Sequence, residues 1–218
     1  MRITKILLAD DHQIVRKGLR AILERESDFS VVAEATSGTD AVEQAAKLAP
    51  DVVLMDISMP GLNGIDACRK VVERNPEVRV IALTVHSIQD MISGIFRAGA
   101  VGYLLKDAAV EELVHAVRTV TGGGVYVSPR VAGAVIDGMI GQSAGAQDAA
   151  GAFVRLTNRE REVLQLMSEG YATKEVARLL NVSVKTAETH RRAIMEKLDM
   201  HSVAELTKYA IREGLTTV

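Results

Sequence analysis

The chain has 218 residues, 48% of them hydrophobic and 25% charged, with a net charge of −2 and a single cysteine, Cys68. That mix excludes a disordered chain, and one cysteine excludes a disulfide framework or a cysteine-rich zinc module. The first apolar stretch, Ile6–Ala9, runs into Asp10 and Asp11 and is too short for a signal-peptide core, and no run approaches a membrane span, so a soluble cytoplasmic protein without membrane contact is expected.

In chain order, Ile6–Ala9 is followed by a helical period at Val15, Leu19, Ile22 and Leu23. A weaker run, Phe29–Ala35, suits an edge strand. Val42, Ala45, Ala46 and Ala49 mark a second helix, Val52–Met55 a strand, and Cys68, Val71 and Val72 a third helix. Val80–Leu83 is a strand; Ile88, Met91, Ile92, Ile95 and Phe96 mark a helix. Tyr103–Leu105 is a strand, and Val110, Leu113, Val114 and Val117 complete the series with a helix. Short continuous apolar runs suit strands buried on both faces, and their alternation with helices predicts a parallel sheet of five strands with five helices.

Gly122–Gly124 then ends the series, so residues 1–124 are predicted to form one domain. Residues 125–152 form the predicted linker: Ser128-Pro129 allows a short helix over 129–140, and 141–152 carry small side chains with almost no apolar anchors. Residues 153–218 predict a second, all-helical domain with helices near 158–169, 174–180, 184–198 and 203–213. Thr157…Glu160 and Ser202…Glu205 are capping-box patterns, and Thr173 and Ser183 are suitable N-caps. Charge is uneven: residues 1–128 carry 14 basic against 17 acidic side chains, and residues 153–218 carry 11 against 9. Only the last third mildly favours a polyanion.

In an open α/β sheet, ligands bind beyond the carboxyl ends of the strands. Asp10, Asp11, Asp56, Thr84 and Lys106 all fall there. A single aspartate at a strand end is most often a turn or helix cap; this set on four strands is a different matter. Converging carboxylates repel unless a cation joins them, and hard oxygen ligands suit Mg²⁺. A carboxylate also serves as a nucleophile that forms an aspartyl phosphate.

These residues, in the settings LMDISMPGLNG, ALTVH and GYLLKD, resemble the receiver domain of two-component response regulators. The resemblance implies a flavodoxin-like (βα)₅ fold, with Asp56 as phosphoacceptor for a sensor histidine kinase. It implies Mg²⁺ held by Asp11, Asp56 and the backbone carbonyl of Ser58, with Asp10 in support. Thr84 and Lys106 would assist, and Thr84 with Tyr103 would form the switch pair. Asp107 stands where many receivers have proline, which leaves the geometry of the 106–107 peptide open. Ser58 and His86 occupy positions that tune phosphoryl lifetime in the family. Cys68 reads as a small core hydrophobe, and the glycine run as a helix terminator.

Residues 174–180, a short turn and 184–198 fit a helix-turn-helix unit. In the second helix Val184, Ala187, Ile194 and Leu198 lie on one side, and Lys185, Glu188, Thr189, Arg192 and Glu196 on the other. Such a stripe suits either a solvated surface or a major groove. The segment 156–164, with Lys174–Ala177, Ser183, Lys185-Thr186, Glu188, His190 and Lys197-Leu198, resembles the LuxR-type DNA-binding domain. Together the two parts resemble the NarL/FixJ family of transcriptional regulators. By position, Glu188, Thr189 and Arg192 would face bases, and Lys174, Lys185 and Arg191 phosphates; His190 lies near the core boundary. Val203, Leu206 and Ala210 read as the inward stripe of the last helix, leaving Glu205, Lys208, Tyr209 and Arg212 as dimer candidates. The implied partners are a histidine kinase, double-stranded DNA with paired half-sites, and a second copy of the chain when phosphorylated or DNA-bound. The expectation is a regulator rather than an enzyme, its only chemistry its own phosphorylation and slow dephosphorylation. Two competitors are a DNA binder with a vestigial receiver, disfavoured by the complete acidic set, and an aspartate-nucleophile phosphohydrolase. The latter usually needs a second acid two residues after the nucleophile, where this chain has Ser58.

Overall fold

The computed structural model describes residues 2–85, 89–133, 156–213 and 215–216, residues 89 and 90 by backbone alone. His86, Ile88, the 141–152 segment and most of the 129–140 segment lie outside the described residues. The chain divides into two compact units, residues 1–143 and 144–218.

In the first unit, strands β1 (Thr4–Ala9), β2 (Phe29–Ala35), β3 (Val52–Asp56), β4 (Arg79–Thr84) and β5 (Gly102–Leu105) alternate with helices α1 (Gln13–Leu23), α2 (Gly38–Leu48), α3 (Gly64–Arg74), α4 (Gln89–Arg97) and α5 (Val110–Thr121). The sheet is parallel, in the order β2-β1-β3-β4-β5-β6. Phe29–Ala35 is an edge strand, as its weaker pattern predicts. All five residues of β3, the central strand, are buried. That is why the apolar runs are continuous rather than alternating: helices cover both faces, so every side chain has a core to enter. Each Ile or Leu so buried stabilises the fold by about 1.5–3 kcal/mol.

The sixth strand, β6 (Tyr126–Val127), corrects the expected five-stranded sheet. Tyr126 N–H donates to Val101 O at 3.0 Å and Ser128 N–H to Tyr103 O at 2.9 Å. The Tyr126 ring meets His115 of α5 edge-on, with centroids 5.6 Å apart, and Val131 is buried. The first unit therefore runs past residue 124. The turn depends on Gly123, whose φ of +87° few residues other than glycine adopt. A two-residue strand has too little length to carry a period, so the sequence does not announce it.

The second unit contains helices α6 (Asn158–Ser168), α7 (Thr173–Leu179), α8 (Val184–Leu198) and α9 (Val203–Arg212) around a core that includes Val163, Leu164, Val176, Ile194, Leu198, Leu206, Tyr209 and Ala210. Both predicted capping boxes form, at Thr157/Glu160 and Ser202/Glu205, and the Ser183 hydroxyl caps α8. Thr173 is not a cap: α7 starts one residue earlier than expected, and the Glu175 carboxylate accepts the N–H of Ala172, the N-cap, at 2.8 Å.

Glu160 joins two helices. It closes the α6 cap and accepts from the Lys197 ammonium of α8 at 2.7 Å. Burial pushes its carboxyl up, but Lys197 and Thr157 outweigh that, so it titrates below the ordinary 4.5. A carboxyl depressed in the folded state stabilises above its unfolded pKa, and the contribution disappears as pH falls through the folded one. Glu160→Gln is therefore expected to destabilise this unit at pH 7. The gap from wild type should narrow as pH drops through and below the ordinary carboxylate range, measured by urea unfolding followed by circular dichroism.

Candidate functional site: an acidic strand-end cluster and a polar helix face

Strand register brings the acidic residues together. Asp56 closes β3 opposite Leu83, and Thr84 closes β4 opposite Leu105. Asp10 follows β1, and Lys106 follows β5 with its N–H donating to Thr84 O at 2.7 Å. The loop after β3 folds back on the strand end, where Gly64 N–H donates to Ile57 O at 2.8 Å. A Cβ on Gly64 would sit 1.9 Å from the Asp56 carbonyl oxygen, so only glycine permits this approach.

The Lys106 ammonium lies 2.7 Å from both Asp10 Oδ2 and Asp56 Oδ2. Asp56 Oδ1 accepts Ser58 N–H at 3.2 Å, and Asp10 Oδ1 accepts His12 N–H at 2.8 Å. Burial pushes Asp56 above the usual carboxylate range and the Asp10 charge adds to this, although Lys106 and Ser58 N–H pull it back. Burial disfavours the Lys106 ammonium, but the Asp56 and Asp10 carboxylates more than compensate and raise its pKa. Asp10 Oδ2 and Asp56 Oδ2, met by Lys106 as ion pairs, and Asp11 Oδ1, 2.9 Å from His12 Nδ1, all lack a hydrogen bond of suitable geometry.

Ligand atoms of Asp10, Asp11, His12 and Asp56 all lie within 4.8 Å of one another. This oxygen-rich set, with three buried oxygens that lack a hydrogen bond of suitable geometry, fits a hard divalent cation. His12 was absent from the sequence-based ligand set; its place directly after the acidic pair was the available signal.

Tyr103 is fully buried, shares a hydrogen bond with Thr84 and stacks on Phe96 at 6.4 Å; burial pushes its phenol to about 12. The 106–107 peptide is trans, and Asp107 pairs instead with Arg130 at 2.8 Å. Cys68 is fully buried, and that burial pushes its thiol to about 12, which makes it an inert core residue.

In the second unit, Ser183 N-caps α8 while Ala187, Ile194 and Leu198 point into the core. Lys185, Glu188, Thr189, Arg192 and Glu196 are all exposed on the other face, as is Lys174 on α7; Arg191 and His190 are half-buried. The Thr189 hydroxyl donates to Lys185 O at 2.9 Å. Val184 and Val203 are each 39% exposed, which corrects their assignment to the inward faces.

Tyr209 is corrected in the opposite sense. It is 6% exposed and belongs to the core, so its ring is not available as a dimer-side residue. Leu206, Tyr209 and Ala210 share one helical face, and the ring turns inward with the Arg212 guanidinium 5.1 Å from its centroid. Glu205, Lys208 and Arg212 are exposed, although the Glu205 carboxylate is occupied by His201 N–H, Ser202 N–H and the Ser202 hydroxyl.

Comparison with known proteins agrees with both halves of this picture. Residues 6–118 match the response regulator receiver domain, and residues 154–210 match the luxR family of bacterial regulatory proteins. The chain is 40% identical over 215 residues to the oxygen regulatory protein NreC of Staphylococcus carnosus, covering 97% of this chain and 98% of that one. Among solved structures, RcsB from Salmonella enterica serovar Typhimurium, bound to the rprA promoter with the phosphomimetic BeF3−, aligns at 28% identity and a TM-score of 0.66, over 95% of this chain and 98% of that one. Two RcsB dimers bound to two parallel DNAs align at 27% identity and a TM-score of 0.58, over 95% and 98%. With a receiver-type α/β unit, a LuxR-type helical unit and a relative matching nearly end to end, the chain belongs to the NarL/FixJ family of response regulators and is a transcription regulator with a DNA-binding domain.

Proposed function

We propose that this regulator accepts a phosphoryl group from a sensor histidine kinase on Asp56 in a Mg²⁺-dependent reaction, and that the modification controls dimerisation and binding to paired DNA half-sites. The observation that carries the reading is the Lys106 ammonium held 2.7 Å from both Asp10 and Asp56, with Asp11 in the same cluster of ligand atoms. A carboxylate oxygen of Asp56 forms the new O–P bond as the phosphohistidine N–P bond breaks, and the electron pair leaves with the imidazole. Lys106 then balances charge on the phosphoryl oxygens, and Ser58 N–H, already on Asp56, lies at the same end of the site. Asp11, Asp56 and the Ser58 carbonyl would hold Mg²⁺, with Asp10 in support; when bound it offsets repulsion between the carboxylates and the incoming phosphoryl group. Thr84, hydrogen-bonded to buried Tyr103, makes that pair the switch that reports the new charge. The promoter-bound and dimeric RcsB structures support the DNA-binding and dimer steps.

With acetyl phosphate and Mg²⁺, the wild-type protein is expected to take up about one acid-labile phosphoryl group, shift toward dimers in sedimentation and bind DNA more tightly. Asp56→Asn keeps the volume but loses the nucleophile, and should do none of these. Labelling of the Asn variant at the same residue would remove Asp56 from the mechanism.

Metal dependence is checked separately. A chelator should stop phosphorylation of the wild type, and Asp11→Ala should do so at millimolar Mg²⁺ without unfolding the chain. Transfer that persists in chelator rules the cation out.

On the DNA face, Arg192→Ala should cost about 1–3 kcal/mol on a specific site and relax sequence preference, because Arg192 lies mid-helix where a side chain enters the groove. Lys185 sits in the first turn of α8, and Lys185→Ala should weaken all sequences alike and reduce the salt slope by about one unit. Affinity against salt on specific and scrambled DNA separates the two; no change in either variant on either DNA makes the stripe a solvated face.

A further inference from the structure

Helix α1 carries a cation where neither solvent nor the helix favours one. Arg16 lies in the first turn, near the positive end of the helix dipole, and is only 8% exposed. A guanidinium is buried at high cost unless its donors are matched. One terminal nitrogen of Arg16 donates to the backbone carbonyl of Asp10 at 2.6 Å, and its Nε donates to Glu34 Oε2 at 3.3 Å. Glu34, on the edge strand β2, is itself held by Arg20 Nε at 2.6 Å, and this contact keeps its carboxyl below the usual range. Arg20 is tied in turn to Glu24 at 2.7 Å. The result is a bracket from β2 through Glu34 and Arg16 to the backbone of the acidic pair.

The gripped carbonyl belongs to the peptide that joins Asp10 to Asp11. Rotation of that peptide would swing both carboxylates away from the site. Arg16 touches neither carboxylate, so its action is on their orientation. Resting on the Mg²⁺ reading above, we infer that Arg16 is a positioning residue of the metal site: anchored by Glu34, it locks the Asp10–Asp11 peptide so that both carboxylates face the cation. Groups that hold metal ligands in place commonly change affinity 10- to 100-fold when removed.

The test is Mg²⁺ affinity of the full-length protein, by isothermal titration calorimetry at fixed ionic strength. Arg16→Met keeps the apolar stem and removes the donors. It should bind Mg²⁺ about tenfold more weakly, and its phosphorylation by acetyl phosphate should return to the wild-type rate at saturating Mg²⁺. Arg16→Lys, which keeps a cationic donor on a shorter side chain, should recover part of the affinity. Glu34→Gln, which leaves Arg16 in place but weakens its anchor, should bind Mg²⁺ more weakly than wild type. A folded Arg16→Met protein with wild-type affinity overturns the inference, as does a rate loss that saturating Mg²⁺ does not repair. Should Arg16→Met fail to fold, Glu34→Gln decides, and unchanged affinity there overturns it equally. Absence of Mg²⁺ binding by the wild type instead overturns the proposed function.

Discussion

Two buried carboxylates and one ammonium set the terms for the receiver unit. Asp10 and Asp56 stand at the ends of adjacent parallel strands, and each reaches the same Lys106 nitrogen at 2.7 Å. Like charges about 4 Å apart near a protein surface repel by about 4 kcal/mol, so the pair is tolerable only with a cation between them. Everything nearby serves that arrangement. The parallel register aligns the strand ends, Gly64 lets the loop fold back over Asp56, and Ser58 N–H and His12 N–H take the remaining oxygens of the pair. Asp11 Oδ1 faces the His12 imidazole, 2.9 Å away.

Most of this was legible from residue order. A hydrophobic run ending in an acidic or hydroxyl residue places that side chain at the carboxyl edge of a parallel sheet, so the order of residues alone points Asp10, Asp56 and Thr84 to one meeting place. The caps at Thr157, Ser183 and Ser202 were equally plain, because a local hydrogen bond needs only a local pattern. What the sequence concealed depends on tertiary context. Tyr209 and Val203 are both apolar enough to lie on either side of α9, and only the neighbouring helices decide which is covered. In the sequence Arg16 is one charge among several on an amphipathic helix. Yet it stands at i−3 from Leu19 and i−7 from Leu23, in phase with the apolar stripe, and a charged residue in that phase is a sign of a buried polar partner.

The second unit reaches its order differently. Its helices are short, and four of them must share one small core. Helices of this length have little stability of their own, and here, among the described residues, no sheet lies beneath them, so caps and inter-helix ties matter. Glu160 illustrates this by closing the α6 cap while binding Lys197 on α8. The two helices are thereby fixed from within, and the outer face of α8 is left to a polar stripe that internal packing does not require.

The strand β6 is only two residues long, yet without it β5 would be the border of the sheet. The N–H and C=O groups of Gly102 and Tyr103 would then form an open row, the kind of border along which unrelated chains add strands and aggregate. A very short final strand is a poor template for further growth, so Tyr126–Val127 both seals the sheet and blunts its rim. A receiver fragment cut after Gly124 would lose that seal and the Ser128 N–H that donates to the Tyr103 carbonyl. Its behaviour in solution would then report on an artificial sheet border as much as on signalling, whereas a fragment carried through Val131 keeps the natural rim.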